Sequence, residues 1–163
     1  MLIYLAAPLF CQAERAFSLQ LTQELEERGF TVFLPQRDGV EIGKPPYNDM
    51  ASDELRQTIF AVDRDKILEA DVFLFVLDGR VPDEGACVEL GIAYGQKHLL
   101  KRDKLLIGLQ TDIRAPFAFL GAKLNPMIHG ALDYIADNEK DLIVALEEYR
   151  RARTDGREPW FSS

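Results

Sequence analysis

The chain has 163 residues, 47% of them hydrophobic and 28% charged, with a formal net charge of −8. That length supports one domain with a real core and not two ordinary ones, and the acidic balance disfavours nucleic acid and anionic membranes as main partners, leaving a small, largely neutral ligand as the better fit. Two cysteines, Cys11 and Cys87, are too few for a disulfide scaffold, and His98 and His129 stand outside any cluster with metal-ligand spacing, so no metal is expected.

The opening residues 1–7 are too short and lack the basic start of a signal peptide, and no apolar run approaches the ~20 residues of a membrane helix. A cytoplasmic protein is expected. Leu2–Ala7 reads as an apolar strand. Gln12–Arg28 follows as a helix, with Phe17, Leu21 and Leu25 at helical spacing and Gly29 as the stop signal. Phe30–Leu34 is a second strand closed by Pro35. Gln36–Met50 carries Gly39, Gly43, Pro45 and Pro46 and reads as a long loop, a feature that is usually functional or disordered in a compact domain. Ser52–Ala70 is a helix, Val72–Leu77 a buried strand, Asp83–Lys97 a helix and Leu105–Gln110 a fourth strand. Thr111–Pro126 is a second long loop. Leu132–Ile135 is a short fifth strand, Asn138–Arg150 a closing helix, and Arg151–Ser163 a tail that is polar except for Trp160 and Phe161.

Strands alternating with helices predict an α/β fold: a single flavodoxin-like domain over residues 1–150, with a five-stranded parallel sheet of order 2-1-3-4-5 and helices on both faces, followed by the tail 151–163. Ligands of such folds bind at the carboxyl ends of the strands. The stretch from Asp78 to Gly91 lies there, at the handover from the third strand to its helix. Glu89 shares a helix face with Gly85, Ala86, Ile92 and Ala93, a small apolar surface where a carboxylate is costly unless it has partners or a job. Asp63 interrupts the apolar stripe Ile59, Asp63, Ile67; either it is an ion pair with Arg64 or Lys66 at a face edge, or it is kept for function. Asp83 stands at a helix start, where capping is the default role. Asp78 closes the third strand and can form the turn with Gly79; it and Gly85 are also expected to contact the substrate. Tyr4 lies in a central strand, and its hydroxyl needs a partner if buried. Gln36 ends the second strand at the same sheet edge, and Asn125 is a turn residue on these grounds alone.

Together these residues resemble the nucleoside 2-deoxyribosyltransferase family. The resemblance rests on Ile3-Tyr4-Leu5-Ala6-Ala7-Pro8, on Asp63 and Asp71-Val72, and on Asn125-(x)-Met127-Ile128; its strongest carrier is Asp78-Gly79-(x)3-Asp83-x-Gly85-(x)3-Glu89-Leu90-Gly91. It spans roughly residues 1–150. It implies a transferase in which Glu89 is the nucleophile, Tyr4 orients it, and Asp63 and Asp83 contact nucleobase and sugar. By the same resemblance Gln36 contacts the base, and Asn125 reaches the sugar site of a neighbouring subunit. It implies deoxynucleosides and free nucleobases as substrates, no cofactor, and a homo-oligomer with shared active sites. Proline follows Asn125 where the family often has leucine.

The chemistry agrees with the residues: a carboxylate below the anomeric carbon traps an oxocarbenium-like centre, and a second acid protonates the departing base. Two alternatives stand beside transfer. One is an N-glycosidase of the same superfamily, with water as acceptor. The other is a non-enzymatic nucleotide-binding module. The segment after the first strand, Ala6-Ala7-Pro8-Leu9-Phe10, lacks the hydroxyl donors of a phosphate loop, which argues against a 5′-phosphate site and against a flavin.

Overall fold

The computed structural model describes residues 1–41, 43–79, 81–112 and 124–161. Its sheet has five strands: β1 (Leu2–Ala6), β2 (Thr31–Phe33), β3 (Val72–Val76), β4 (Leu105–Leu109) and β5 (Tyr134–Ala136). All neighbours are parallel, in the order β2-β1-β3-β4-β5. This is the flavodoxin-like α/β arrangement the alternation predicted. The helices are α1 (Gln12–Glu27), α2 (Pro35–Asp38), α3 (Ser52–Glu69), α4 (Glu84–Leu99), α5 (Pro126–Ala131) and α6 (Glu139–Asp155).

Because side chains alternate across a strand, each strand feeds two cores. Ile3, Leu5, Leu74, Ile107 and Leu109 pack against Leu21 and Leu25 of α1 and Leu142 and Leu146 of α6. Tyr4, Ala6, Phe73, Phe75 and Leu106 face the other way, onto Ile67 of α3 and Ala86, Leu90 and Ala93 of α4. β3 is buried along its whole length, as a central parallel strand covered on both faces must be.

Three elements depart from the sequence reading, each for a local reason. Gln36 is not in a loop: Pro35 starts the short helix α2, with φ preset by its ring, and the Asp38 carboxylate accepts the Leu34 amide at 2.9 Å. The fifth strand begins later than Leu132 because the six-residue helix α5 precedes it, capped by Asn125 and started by Pro126. The closing helix runs past Arg150 to Asp155, where Gly156 takes the left-handed conformation (φ 67°) that ends many helices. Beyond it, Trp160 and Phe161 lie 5.3 Å (ring centroids) from Tyr134, so the end of the chain packs on edge strand β5. Of the second long loop, residues 113–123, with Phe117, Phe119 and Leu120, lie outside the described residues. Among the described residues no helix is long and apolar enough to cross a membrane.

Gly108 in β4 is a point of close packing in the sheet. A Cβ there would stand 2.7 Å from Leu77 Cδ1 and 3.0 Å from Leu132 Cδ1. Gly108→Ala should therefore cost about 1–3 kcal/mol by overpacking, read as a lower urea midpoint with an unchanged m-value.

Candidate functional site

β1 and β3 hold Tyr4 rigidly. It is in register with Phe33 of β2 and Phe73 of β3, and the three rings stack at 5.6 Å and 5.8 Å. The Tyr4 ring is fully buried, so its hydroxyl must find a partner inside the protein. It donates to Glu89 Oε1 at 2.8 Å. Glu89 sits on the second turn of α4, whose small face there, Gly85 and Ala86, allows approach to the sheet. Burial pushes the Glu89 carboxyl up to about 7; the Tyr4 hydrogen bond opposes this, while the charges of Asp63 and Asp83 add to it. Burial and the carboxylates of Glu89 and Asp63 hold the Tyr4 phenol far above its ordinary value, so it stays a donor.

Asp63 faces Glu89 from α3. The ion-pair explanation for it does not hold: Arg64 pairs with Asp65 at 2.7 Å and Lys66 with Glu69 at 2.6 Å. Among the described residues Asp63 has neither a hydrogen bond nor an ion pair, and burial pushes its carboxyl up to about 6. Two half-buried carboxylates thus share one cleft of about 310 Å³ between α3 and α4. Its walls are largely apolar, from Ile59, Ile67, Val88 and Ile92. Gly85 also lines it, and a Cβ at that position would come within 3.2 Å of Asp83 Oδ1.

The other expected residues divide. Asp83 is the N-cap of α4, its Oδ1 accepting the Ala86 amide at 2.8 Å, and its charge reaches Glu89. Asp78 is engaged by the segment after β4: it accepts the Thr111 amide and hydroxyl and the Asp112 amide, so it ties the ends of β3 and β4 together. Gln36 is turned to α1, with Nε2 donating to the Arg15 carbonyl at 2.9 Å and Oε1 buried and unpartnered among the described residues. Asn125 caps α5 by accepting the Met127 amide at 2.8 Å, and it is exposed to solvent. The sequence reading missed Arg56 and Phe60, which line the cleft beside Asp63. The signal was present, since Arg56, Phe60 and Arg64 form the α3 stripe next to Ile59, Asp63 and Ile67. No group of three His, Cys, Asp or Glu side chains among the described residues is placed to hold a metal ion.

Residues 3–141, a span holding every side chain just described, match the family model for nucleoside 2-deoxyribosyltransferase. The chain belongs to that family. Among solved structures, a conserved protein from Enterococcus faecalis V583 is 26% identical, with a TM-score of 0.71 over 93% of this chain and 98% of that one. The 2-deoxyribosyltransferase of the psychrotolerant bacterium Bacillus psychrosaccharolyticus is also 26% identical, with a TM-score of 0.67 over 87% of this chain and 90% of that one. A CMP N-glycosidase from Clostridium botulinum is 20% identical, with a TM-score of 0.49 over 90% of this chain and 99% of that one. No curated protein sequence matches the chain significantly.

In this family member Asp63 carries a cost that can be measured apart from activity. Its pKa is raised on folding, so the native state binds more protons than the unfolded chain between pH 4 and about 6, and stability falls as pH rises through that window. Asp63→Leu should melt at the same or a higher temperature than wild type at pH 7.5. The gain should grow from pH 4 to 6, stay level above, and amount to roughly 2–4 °C for each kcal/mol released. Calorimetry at several pH values checks this; a large drop in Tm would make Asp63 structural.

Proposed function

We propose that the protein is a nucleoside 2-deoxyribosyltransferase with Glu89 as its nucleophile. The observation that carries this reading is the Tyr4–Glu89 hydrogen bond: it aims a half-buried carboxylate into a cleft that also holds Asp63. In the first step a Glu89 oxygen attacks the anomeric carbon of a 2′-deoxynucleoside. The carbon–nitrogen bond breaks, its electron pair goes to the base, and Asp63 supplies the proton the base needs. The sugar is left as a glutamyl ester. In the second step a nitrogen of another base attacks the same carbon, Glu89 leaves as a carboxylate, and Asp63 recovers a proton. Two displacements give net retention. The Tyr4 hydroxyl orients the nucleophile and keeps part of its charge accessible near neutral pH. Asp83 holds the start of α4, and with it Glu89, in place.

Incubation with deoxyinosine and free adenine tests the reading. Deoxyadenosine as product supports transfer, hypoxanthine with free deoxyribose alone assigns a hydrolase, and no turnover overturns both. Glu89→Gln should fold and lose roughly 10³-fold or more in rate. Trapping of the deoxyribosyl ester by mass spectrometry should succeed in wild type and fail in that variant.

The reaction needs Glu89 ionised and Asp63 protonated, the less populated arrangement of the singly protonated pair because Asp63 is the stronger acid. The pair titrates with values of about 6 and about 7, so kcat/KM against pH should be a bell with its maximum between them. Tyr4→Phe removes the interaction that lowers the Glu89 pKa. The limb that reports Glu89 ionisation should then move to higher pH, with kcat down about 10–100-fold. An unshifted profile would deny Tyr4 this role.

The active unit is a homo-oligomer in this reading. Asn125 and its neighbour Met127 are exposed beside an apolar groove between α4 and α5, lined by Leu90, Tyr94 and Ile128. Co-refolding inactive Glu89→Ala with inactive Asn125→Ala subunits should restore part of the activity, since some sites then receive both intact residues. An active monomer in sedimentation would rule this out.

A further inference from the structure

α3 presents two adjacent stripes to the cleft. The inner one, Ile59, Asp63 and Ile67, holds the carboxylate. The outer one is Arg56, Phe60 and Arg64, spaced four residues apart, so Phe60 lies one turn from an arginine on either side along the helix. Phe60 is 54% exposed, an unusual position for a large aromatic on a helix that has a core face available. The Arg64 guanidinium lies 5.9 Å from its centroid, and its Nε and one terminal nitrogen are held by Asp65. Among the described residues Arg56 pairs with Asp53, one turn before it in α3. Each guanidinium keeps N–H groups that no described residue claims.

The chemistry of this rim is selective. A flat aromatic ring at the mouth of an apolar slot suits stacking of a heterocycle. Guanidinium groups are donors only, so they reward ring carbonyl oxygens and bare ring nitrogens and penalise exocyclic amino groups, which are themselves donors. A phosphate would meet the same arginines, but it would also enter a cleft holding Asp63 and Glu89, which repel it. A neutral, planar ligand with acceptors along one edge suits this rim best.

We propose that Arg56 and Arg64, flanking Phe60 as a stacking platform, make this cleft selective for 6-oxopurines over 6-aminopurines. The inference rests on the reading of the cleft as the base-binding site, and it names the substrate class of that site. Hypoxanthine and adenine differ at the relevant edge, a carbonyl oxygen in one and an amino group in the other.

Titration calorimetry of the wild-type protein with free hypoxanthine and free adenine tests this without any chemistry occurring. Hypoxanthine should bind about tenfold or more tightly. In the double variant Arg56→Met/Arg64→Met the ratio should fall to within about threefold, through the larger loss of hypoxanthine affinity, because adenine offers the guanidinium groups ring nitrogens but no carbonyl oxygen. Phe60→Leu should weaken both bases alike, by roughly five- to tenfold, and leave the ratio intact. All three residues are at the surface, so an unchanged Tm verifies that the variants fold. Equal affinities, tighter adenine, an unchanged ratio in the arginine variant or no binding of either base overturns the proposal. A protein with the ratio but no glycosyl transfer or hydrolysis keeps this inference and loses the transferase reading; an active protein without the ratio does the converse.

Discussion

A carboxylate beside a parallel sheet loses most of its hydration, and the protein compensates Glu89 with one buried phenol. The hydrogen bond from Tyr4 is short and directional, and the ring that delivers it cannot move, because Phe33 and Phe73 stack on either side in neighbouring strands. The order of the sheet follows through this contact to the site. β1 must lie between β2 and β3 for the three rings to stack, and α4 must follow β3 for Glu89 to reach the phenol. Gly85 and Ala86 at the start of α4 let the helix come close. A change that shifts any one of these elements by an ångström would act on the carboxylate first.

The two ends of the sheet handle charge in opposite ways. At the amino ends of the strands, charges are closed on one another. Arg153 of α6 bridges Asp71 at 2.8 Å and Asp103 at 2.9 Å, and Tyr149 donates to Asp103. Arg153 and the Leu2 amide hold the Asp71 carboxyl below its ordinary range against the effect of its burial. The buried Lys104 ammonium donates to the Ile67 carbonyl at the carboxyl end of α3, where the helix dipole favours a cation; burial lowers it to about 8 and Asp71 opposes that. In the cleft between α3 and α4 no such closure occurs. Asp63 and Glu89 have no cation within ion-pair distance among the described residues, and both carboxyls are raised. Carboxylates left raised and unpaired in a cleft where a ligand is proposed to bind are the usual mark of function set against stability.

The difference between Asp63 and Asp78 shows how much a motif leaves open. Asp78 follows β3 and Asp63 lies within α3, and either is a reasonable ligand contact in a linear reading. Asp78 is committed to Thr111 and Asp112, a partner segment more than thirty residues on. Asp63 is committed to nothing but the cleft. The apolar stripe marks Asp63 in the sequence, but that Asp78 is claimed by a distant segment while Asp63 is left unpaired depends on which segment arrives next to each after folding.

The sequence by itself determined the architecture: alternating apolar strands and amphipathic helices, Gly29 and Pro35 as stops, and a small-residue face on α4 suffice for a parallel sheet with helices on both faces, because periodicity and burial are local properties. It also pointed to Glu89 and Asp63, since a charge on an apolar stripe stands out without any coordinates, and its motifs carried the family resemblance. It misplaced what is set by short-range competition, as at α2, at α5 and at the end of α6, where a capping residue or a proline outweighs the wider pattern. Only the tertiary structure decided that Tyr4 meets Glu89 across 85 positions of chain, that Arg64 turns to Asp65 and leaves Asp63 unpaired, and that Arg56 and Phe60 rim the same cleft. Those are contacts between side chains on different elements or rotamer choices among competing partners, and packing alone selects between them.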